Sequence, residues 1–459
     1  MTYREEHDSM GPVQVPEDAY YGAQTQRAIE NFPVSGLNFQ PVFIMAVALI
    51  KKYAAQVNQE LRILPHDLSK AIMQAAQEVI DDTFDDQFKV DVFQTGSGTS
   101  TNMNVNEVIA GRANEIITGN IGGKSPVHPN DHVNLGQSSN DVIPSAIHIA
   151  ALTSIKNQLL PSLRNLHQSL KNKTDEFKAV AKIGRTHLQD AVPVTLGQEF
   201  SGYARQVELG IERLQSIEPR LAELALGGTA VGTGMNTHPE FARRVTALIA
   251  QETGCPFVEA KNHFEAQAAQ DAAVEASGAL KTVAVSLMKI ANDIRWLASG
   301  PRCGIGEILL PDLQPGSSIM PGKVNPVMPE VLLQVAAQVI GNDAAITIGG
   351  QAGNFELNTM LPLIAYNLLQ SIEILASSVT VFAEKCVNGI TANKEKCSST
   401  VDKSIALVTP LVPIIGYDKA AAIAKEARET GKTVREIALK IKILPEEELD
   451  KLFGDKSNT

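Results

Sequence analysis

Two hydroxyls, an ammonium and an amide, from Ser317, Ser318, Lys323 and Asn325, fall within nine positions of one segment, Gly316-Ser-Ser-Ile-Met-Pro-Gly-Lys-Val-Asn-Pro326. Pro321-Gly322 in its middle stops a helix or strand from running through it. The groups therefore sit on a loop, where scaffolds place their chemistry. An ammonium and an amide beside hydroxyls suit a bound carboxylate and a proton-transfer step. A plain glycine-rich connection would use the same turn residues, so the company this loop keeps decides between the two readings.

That company is polar throughout. Ser97-Gly98-Thr99 lies ahead of a helical stretch, a place that favours an anion, although the same residues could simply cap their own loop. No strand of a βαβ unit precedes it and it does not fit GxGxxG, which excludes a dinucleotide site. Gln137-Ser138-Ser139-Asn140-Asp141 opens an apolar helical tract, either as a helix cap or as donors aimed at a carboxylate. Gly184-Arg185-Thr186-His187-Leu188-Gln189-Asp190 puts a histidine among polar neighbours in a loop before Pro193, a setting for proton transfer as much as for structure. Gly227 to Gly234 holds too many glycines for a helix and breaks the pattern as a hinge or beside a site.

The elements that must position these loops are helical. At 459 residues the chain exceeds what one core supports, so two or three domains are expected. Aromatic content of 5% with 44% hydrophobic residues points to a core of Ala, Leu, Ile and Val in close-packed helices. Residues 1–40, punctuated by Pro12, Pro16 and Pro33, read as irregular. Helical spacing predicts helices from Phe43 to Glu60, Ser69 to Asp81 and Glu107 to Ile117, then long tracts over 140–175, 196–226 and 357–388. Phe264 to Ser299 holds no proline and reads as one helix of about 36 residues and about 54 Å. Many positions on these tracts are apolar or small on more than one face, which implies burial all round and hence an oligomeric bundle. The expected division is 1–138, 139–392 and 393–459: a mostly helical N-terminal part, a central long-helix bundle and a small C-terminal helical domain.

A net charge of -11 argues against a nucleic-acid surface and requires local groups to attract any anionic substrate. The four cysteines show no CxxC spacing, which indicates neither a zinc ribbon nor a disulfide framework and suits a reducing cytoplasm. The start has no apolar h-region, and no run of eighteen apolar residues occurs, so neither a signal segment nor a membrane span is expected.

Together the five polar segments, in this order, resemble the fumarase/aspartase superfamily over nearly the whole chain. Gly96-Ser-Gly-Thr99, Gln137-Ser-Ser-Asn140, Gly227-Gly-Thr229, Asn236-Thr-His-Pro239 and Pro321-Gly-Lys323 resemble class II fumarase; aspartases tend to carry other residues there. Tyr20-Tyr21, Gly389 to Glu395 and Glu429-Thr-Gly-Lys432 look more like aspartase, and Val412-Pro-Ile-Ile415 departs from the usual Asn-Pro-His-Ile.

The resemblance implies an all-α, three-domain fold with a central long-helix bundle, assembled as a homotetramer whose active sites each draw on three subunits. It implies the reversible hydration of fumarate to (S)-malate in the tricarboxylic acid cycle, with no cofactor, no metal and a cytoplasmic setting. Aspartate ammonia-lyase is the alternative; a non-catalytic member would not be expected to keep Ser317, Lys323 and His187. By resemblance Ser317 is the base, His187 the second proton-transfer group and Glu330 its carboxylate partner. Ser97, Gly98, Thr99, Ser138, Ser139, Asn140, Thr186, Ser318, Lys323, Val324 and Asn325 would bind the dicarboxylate. His128, Pro129, Asn130 and Asp131 resemble a second, outer anion site, with the basic residues before it reduced to Lys124.

Overall fold

The computed structural model describes residues 2–454, of which nearly all structured positions are helical; 63% of the chain is helix. Strand is confined, among the described residues, to five two-stranded sheets. The architecture is all-α, as the long apolar periodicities require. The chain forms two compact units: Met1–Pro161 with Glu212–Ala284 and Ala337–Ala376, and Ser162–Ile211 with Val285–Ala336 and Ser377–Thr459.

In the first unit, helices Pro41–Glu60 and His66–Ile80 pack as an antiparallel pair through Ile50, Ala54, Val57, Ile72, Ala75, Ala76 and Val79, all fully buried or nearly so. Helix Thr99–Thr118 lies against them. It starts eight residues before the expected Glu107, directly after Gly98. Its first turn is polar, which hides it from apolar periodicity.

Residues 1–40 are not irregular. Tyr3–Asp8 and Gly11–Pro16 form an antiparallel hairpin, followed by helix Ala23–Asn31. Only Val13 and Val15 on the second strand alternate into the core, and the first strand is almost wholly polar, so the period of two is too faint to read. The hairpin is held by charge instead: Asp8 accepts the Met10 N–H and two bonds from the Arg27 guanidinium. The following helix has no local side-chain cap. Its first N–H groups are met by a remote carboxylate, Glu107, which accepts from Gly22, Gln24 and Thr25 N–H and from the Thr25 hydroxyl.

The expected single helix over Phe264–Ser299 is two, His263–Ala268 and Asp271–Leu297. Ala269 takes an extended conformation between them. Alanine and glutamine are good helix formers, so propensity gives no sign of the break. Tertiary contacts impose it: the buried Gln267 side chain donates to Thr229 O. Asn262 caps the short helix through Phe264 and Glu265 N–H.

In the second unit, Phe177, Phe200 and Tyr203 stack edge to face at 5.3 and 5.4 Å, and Ala181–Thr186 pairs with Gln189–Thr195 as a hairpin. The C-terminal helices close over Val401, Leu411, Ile423, Ile437 and Leu449. Val327–Gly350 and Leu361–Gly389 are long and apolar enough to cross a membrane by length and composition alone. Glu330 and Asp343 interrupt the first, and Glu373, Glu384 and Lys385 the second.

Gly111 tests how closely the polar N-terminal segment is seated. A Cβ there would stand 2.3 Å from Tyr20 O, a backbone atom that cannot swing away. Alanine gains about 1 kcal/mol of helix propensity, but overpacking against backbone costs about 1–3 kcal/mol. Gly111→Ala is therefore expected to lower stability in urea unfolding, and a stability gain would show the Tyr20 contact to be loose.

Candidate active site

In the first unit the Ser97 and Thr99 hydroxyls lie 2.7 Å apart, and Thr99 Oγ1 lies 2.7 Å from Ser139 Oγ. Two segments forty residues apart thus form one row of hydroxyls at the starts of helices Thr99–Thr118 and Ser139–Ser154. Ser138 is the cap of the second helix. Its Oγ accepts the Asn140 N–H, and its own N–H donates to Asp141 Oδ1 in a capping box. The simple helix-cap reading therefore describes Ser138. Asn140 is half-buried and its Nδ2 donates to Ala230 O.

These loops are held from beneath by buried charges that sequence reasoning did not single out. Asp141 is fully buried, and its Oδ2 accepts from Gly227 and Thr229 N–H at 2.9 and 3.0 Å. Burial raises its pKa and these N–H donors oppose the rise. The Gly227–Gly234 stretch is thus no loose hinge at its start, since Gly227, Gly228 and Thr229 are buried against Asp141. Lys51, also fully buried, donates to Asn102 Oδ1, Asn134 Oδ1 and Gln137 Oε1 at 2.8, 3.0 and 2.9 Å. It ties the first turn of one hydroxyl-bearing helix to the loop that leads into the other. Lys51 sits beside Lys52 in an apolar helix, and nothing in that pair marks one lysine as buried and the other as surface.

His128 to Asp131 enter a single π-helical turn, Pro129–Val133. The His128 Nδ1 accepts from Asn130 and Asp131 N–H, and the Asp131 carboxylate lies 3.5 Å from it. Burial lowers the His128 pKa, with Asp131 opposing. Pro129 is buried, whereas Asn130 and Asp131 are exposed.

In the second unit the Gly316–Pro326 loop is closed on itself. Gly316 N–H donates to Lys323 O at 2.7 Å, and Asn325 Nδ2 donates to Gly316 O at 2.7 Å. A side chain at Gly316 would collide with Lys323 O, and Gly322 takes φ 81°, so both glycines are required. The Ser317 Oγ accepts the N–H groups of Ile319 and Met320 at 3.2 and 3.0 Å. Lys323 Nζ donates to Asn325 Oδ1. Ser318, Lys323 and Val324 are exposed.

His187 does not sit in an open loop. With Leu188 it forms the two-residue turn of the hairpin Ala181–Thr186/Gln189–Thr195, with Thr186 paired to Gln189. Both turn residues have positive φ, 55° and 59°, as such a turn requires. Neither is the Gly or Asn that usually supplies it, and a left-handed L-residue costs about 1–2 kcal/mol. The usual asparagine-glycine signal was absent, so the hairpin was not legible. Glu330 lies in the first turn of Val327–Gly350. Among the described residues neither the His187 ring nor the Glu330 carboxylate has a hydrogen bond or ion pair, so one chain alone does not join them. Nor, among the described residues, does any group of three or more His, Cys, Asp or Glu side chains converge as a metal site.

Residues 11–341 match the family model described as Lyase, and residues 407–454 match Fumarase C C-terminus. "Fumarate hydratase class II" of Nitrosomonas europaea is 56% identical over 448 residues, covering 98% of this chain and 97% of its own. "Fumarate hydratase 1, mitochondrial" of Arabidopsis thaliana is 54% identical over 454 residues, covering 98% of this chain and 92% of its own. The crystal structure of class II fumarase from Schistosoma mansoni superposes with a TM-score of 0.97 at 42% identity, covering 100% of this chain and 99% of that one.

Lys51 yields a prediction about pH. Burial lowers its pKa from 10.5 to about 7, with the Asp141 charge opposing. Between those values the unfolded chain holds a proton that the folded chain has released. The stability associated with the neutral amine is full above 10.5 and lost as pH falls through about 7. The stability of the parent relative to Lys51→Met should therefore rise from pH 7 to pH 9 in thermal melts. A difference that stays flat over that range would show the amine to remain charged throughout.

Proposed function

This chain belongs to the class II fumarases of the fumarase/aspartase superfamily, and on that premise we propose how its loops divide the chemistry. The enzyme is a hydro-lyase that interconverts fumarate and (S)-malate by reversible addition of water. In the dehydration direction the difficult step is removal of a proton from the carbon beside a carboxylate. The electron pair passes into that carboxylate, hydroxide leaves the neighbouring carbon, and a proton delivered to it completes the water.

Ser317 is the base in this reading, and the observation that carries it is the pair of N–H groups already aimed at its Oγ. A serine hydroxyl removes a carbon-bound proton only where its alkoxide is stabilised, and the Ile319 and Met320 donors supply that. Lys323 and Asn325, on the same closed loop, face the carboxylate where negative charge develops. Ser97, Thr99, Ser139, Asn140 and Thr186 hold the other end of the dicarboxylate, with Gly98, Ser138, Ser318 and Val324 shaping those loops. His187 passes the second proton, with Glu330 setting its tautomer. His128 to Asp131 form the outer anion site.

A homotetramer belongs to the same proposal. The free His187 and Glu330 side chains support it, and so does the surface of Val327–Gly350. Ala337, Gly341 and Ala344 form an exposed stripe of small residues beside Ile348, which is 55% exposed. Small residues let helix backbones approach closely, and an apolar stripe of this length calls for a covering helix. The division at 138 and 392 and a cytoplasmic setting are part of the same reading, the latter supported by four free cysteines.

Ser317→Ala should keep the parent mass in sedimentation and lower kcat by about 10²–10⁴. A rate within threefold of the parent would remove Ser317 from the role. Malate and aspartate differ by a neutral hydroxyl against an ammonium, and an ammonium needs a matching charge in a closed site. The Ser138–Asn140 and Thr186–His187 groups include no carboxylate. Aspartate turnover is expected to fall about 10²–10³ below malate turnover in kcat/KM, followed by fumarate absorbance and by ammonia release. Comparable ammonia release would overturn the assignment of these loops to the hydroxyl substrate.

A further inference from the structure

The hairpin that carries His187 has a bare tip. Among the described residues no side chain from Thr186 to Asp190 makes a hydrogen bond or an ion pair, and all five are exposed. Its turn also uses two non-glycine residues at positive φ. Such a tip keeps one orientation only if the strand behind it is fixed. One side chain meets that need. Glu307 is fully buried and takes the Arg185 guanidinium in a two-pronged grip, Nη1 to Oε2 at 3.0 Å and Nη2 to Oε1 at 2.8 Å. Arg185 is two residues from His187. Lys182, three residues further back on the same strand, lies 3.3 Å from the same carboxylate.

Glu307 is itself immobilised through its backbone. Its N–H donates to Leu297 O at the end of Asp271–Leu297, and its carbonyl accepts the Asn393 N–H. The Cys397 thiol also donates to that carbonyl. The next two residues pair with Thr391–Ala392 as a short strand. The charges around it are Lys182, Arg185 and Glu199, which accepts from Lys182 at 3.2 Å. Lys182 thus has a second carboxylate at the base of the strand, while Arg185, nearest the tip, has hydrogen bonds among the described residues with Glu307 alone, the Asp190 and Glu199 charges acting on it from further off.

We propose that Glu307 is a positioning residue for the reaction, acting through the Arg185 fork to hold the hairpin tip so that His187 meets the substrate in one orientation. The inference rests on the reading of His187 as a proton-transfer group. A planar guanidinium gripped at both ends by a carboxylate fixes direction as well as distance, which a single-point contact from lysine does not. Small displacements of a reacting group reduce rate steeply. The role is therefore expressed in kcat more than in substrate affinity.

The test is a double-mutant cycle between Glu307→Gln and His187→Asn, with kcat and KM for malate, sedimentation and thermal melting for each variant. Glu307→Gln is expected to lower kcat by about 10–10² with KM within about threefold. In the His187→Asn background it should cause no further loss, because the two act as a unit. Arg185→Lys keeps the positive charge but loses the fork; it replaces Glu307→Gln if that variant does not assemble, with the same expectation. A parent-like kcat for an assembled Glu307→Gln, beside a slow His187→Asn, would overturn the positioning role alone. Equal fractional losses in both backgrounds would do the same, since a general structural role is additive. A parent-like rate for His187→Asn would take down both the reading of His187 and this inference.

Discussion

The Asp141 carboxylate lies wholly out of water, and backbone N–H groups from Ser138, Gly227 and Thr229 meet it. A buried charge left unmatched is penalised by several kcal/mol, so these segments cannot drift without exposing that penalty. Lys51, a buried amine whose N–H groups need partners, imposes a like condition on Asn102, Asn134 and Gln137, and the Glu107 carboxylate on Gly22, Gln24 and Thr25. In the second unit Glu307 does so for Lys182 and Arg185. In both units a segment outside the helices is fixed by a buried ionisable side chain beneath it.

That arrangement suits a reaction in which charge builds up on a small dianion. The donors that stabilise it must already point the right way, since reorienting them during the reaction would forfeit most of their benefit. Helices set the distances, and Ser97, Thr99 and Ser139 stand at helix starts, where side chains such as Gln94 and Ser138 meet some of the first backbone N–H groups. The buried ions then remove the freedom that loops otherwise have. With a net charge of -11 the molecule as a whole repels a dianionic substrate, so attraction must come from local groups.

Substrate assignment follows the loops and not the ends. The aspartase-like Tyr20-Tyr21 is spent on structure: the Tyr20 N–H donates to Gln87, and the Tyr21 carbonyl accepts from Arg4. Such contacts seat the N-terminal segment, as does the Tyr20 hydroxyl donating to Glu115. The relatives named fumarate hydratase match across both ends as well as the middle, which removes the weight those segments lent to the aspartase alternative.

The sequence by itself determined the helical class, helices near 43–60 and 69–81, most of the long tracts after 139 and the non-helical segments that carry hydroxyl, imidazole and ammonium groups. Each rests on a local signal: a 3.6-residue apolar period, a Pro-Gly break, or polar residues clustered at an element boundary. What only the tertiary structure decided depends on partners distant in the chain. The break at Ala269 is imposed by Gln267 reaching Thr229, the N-terminal hairpin by Arg27 reaching Asp8, and the turn at His187–Leu188 by a strand held to Glu307. Lys51, Glu107 and Glu307 look in the sequence like ordinary charged residues on helices or loops. Their importance comes from burial, and burial is a property of the packed chain, since it depends on which segments happen to cover a side chain.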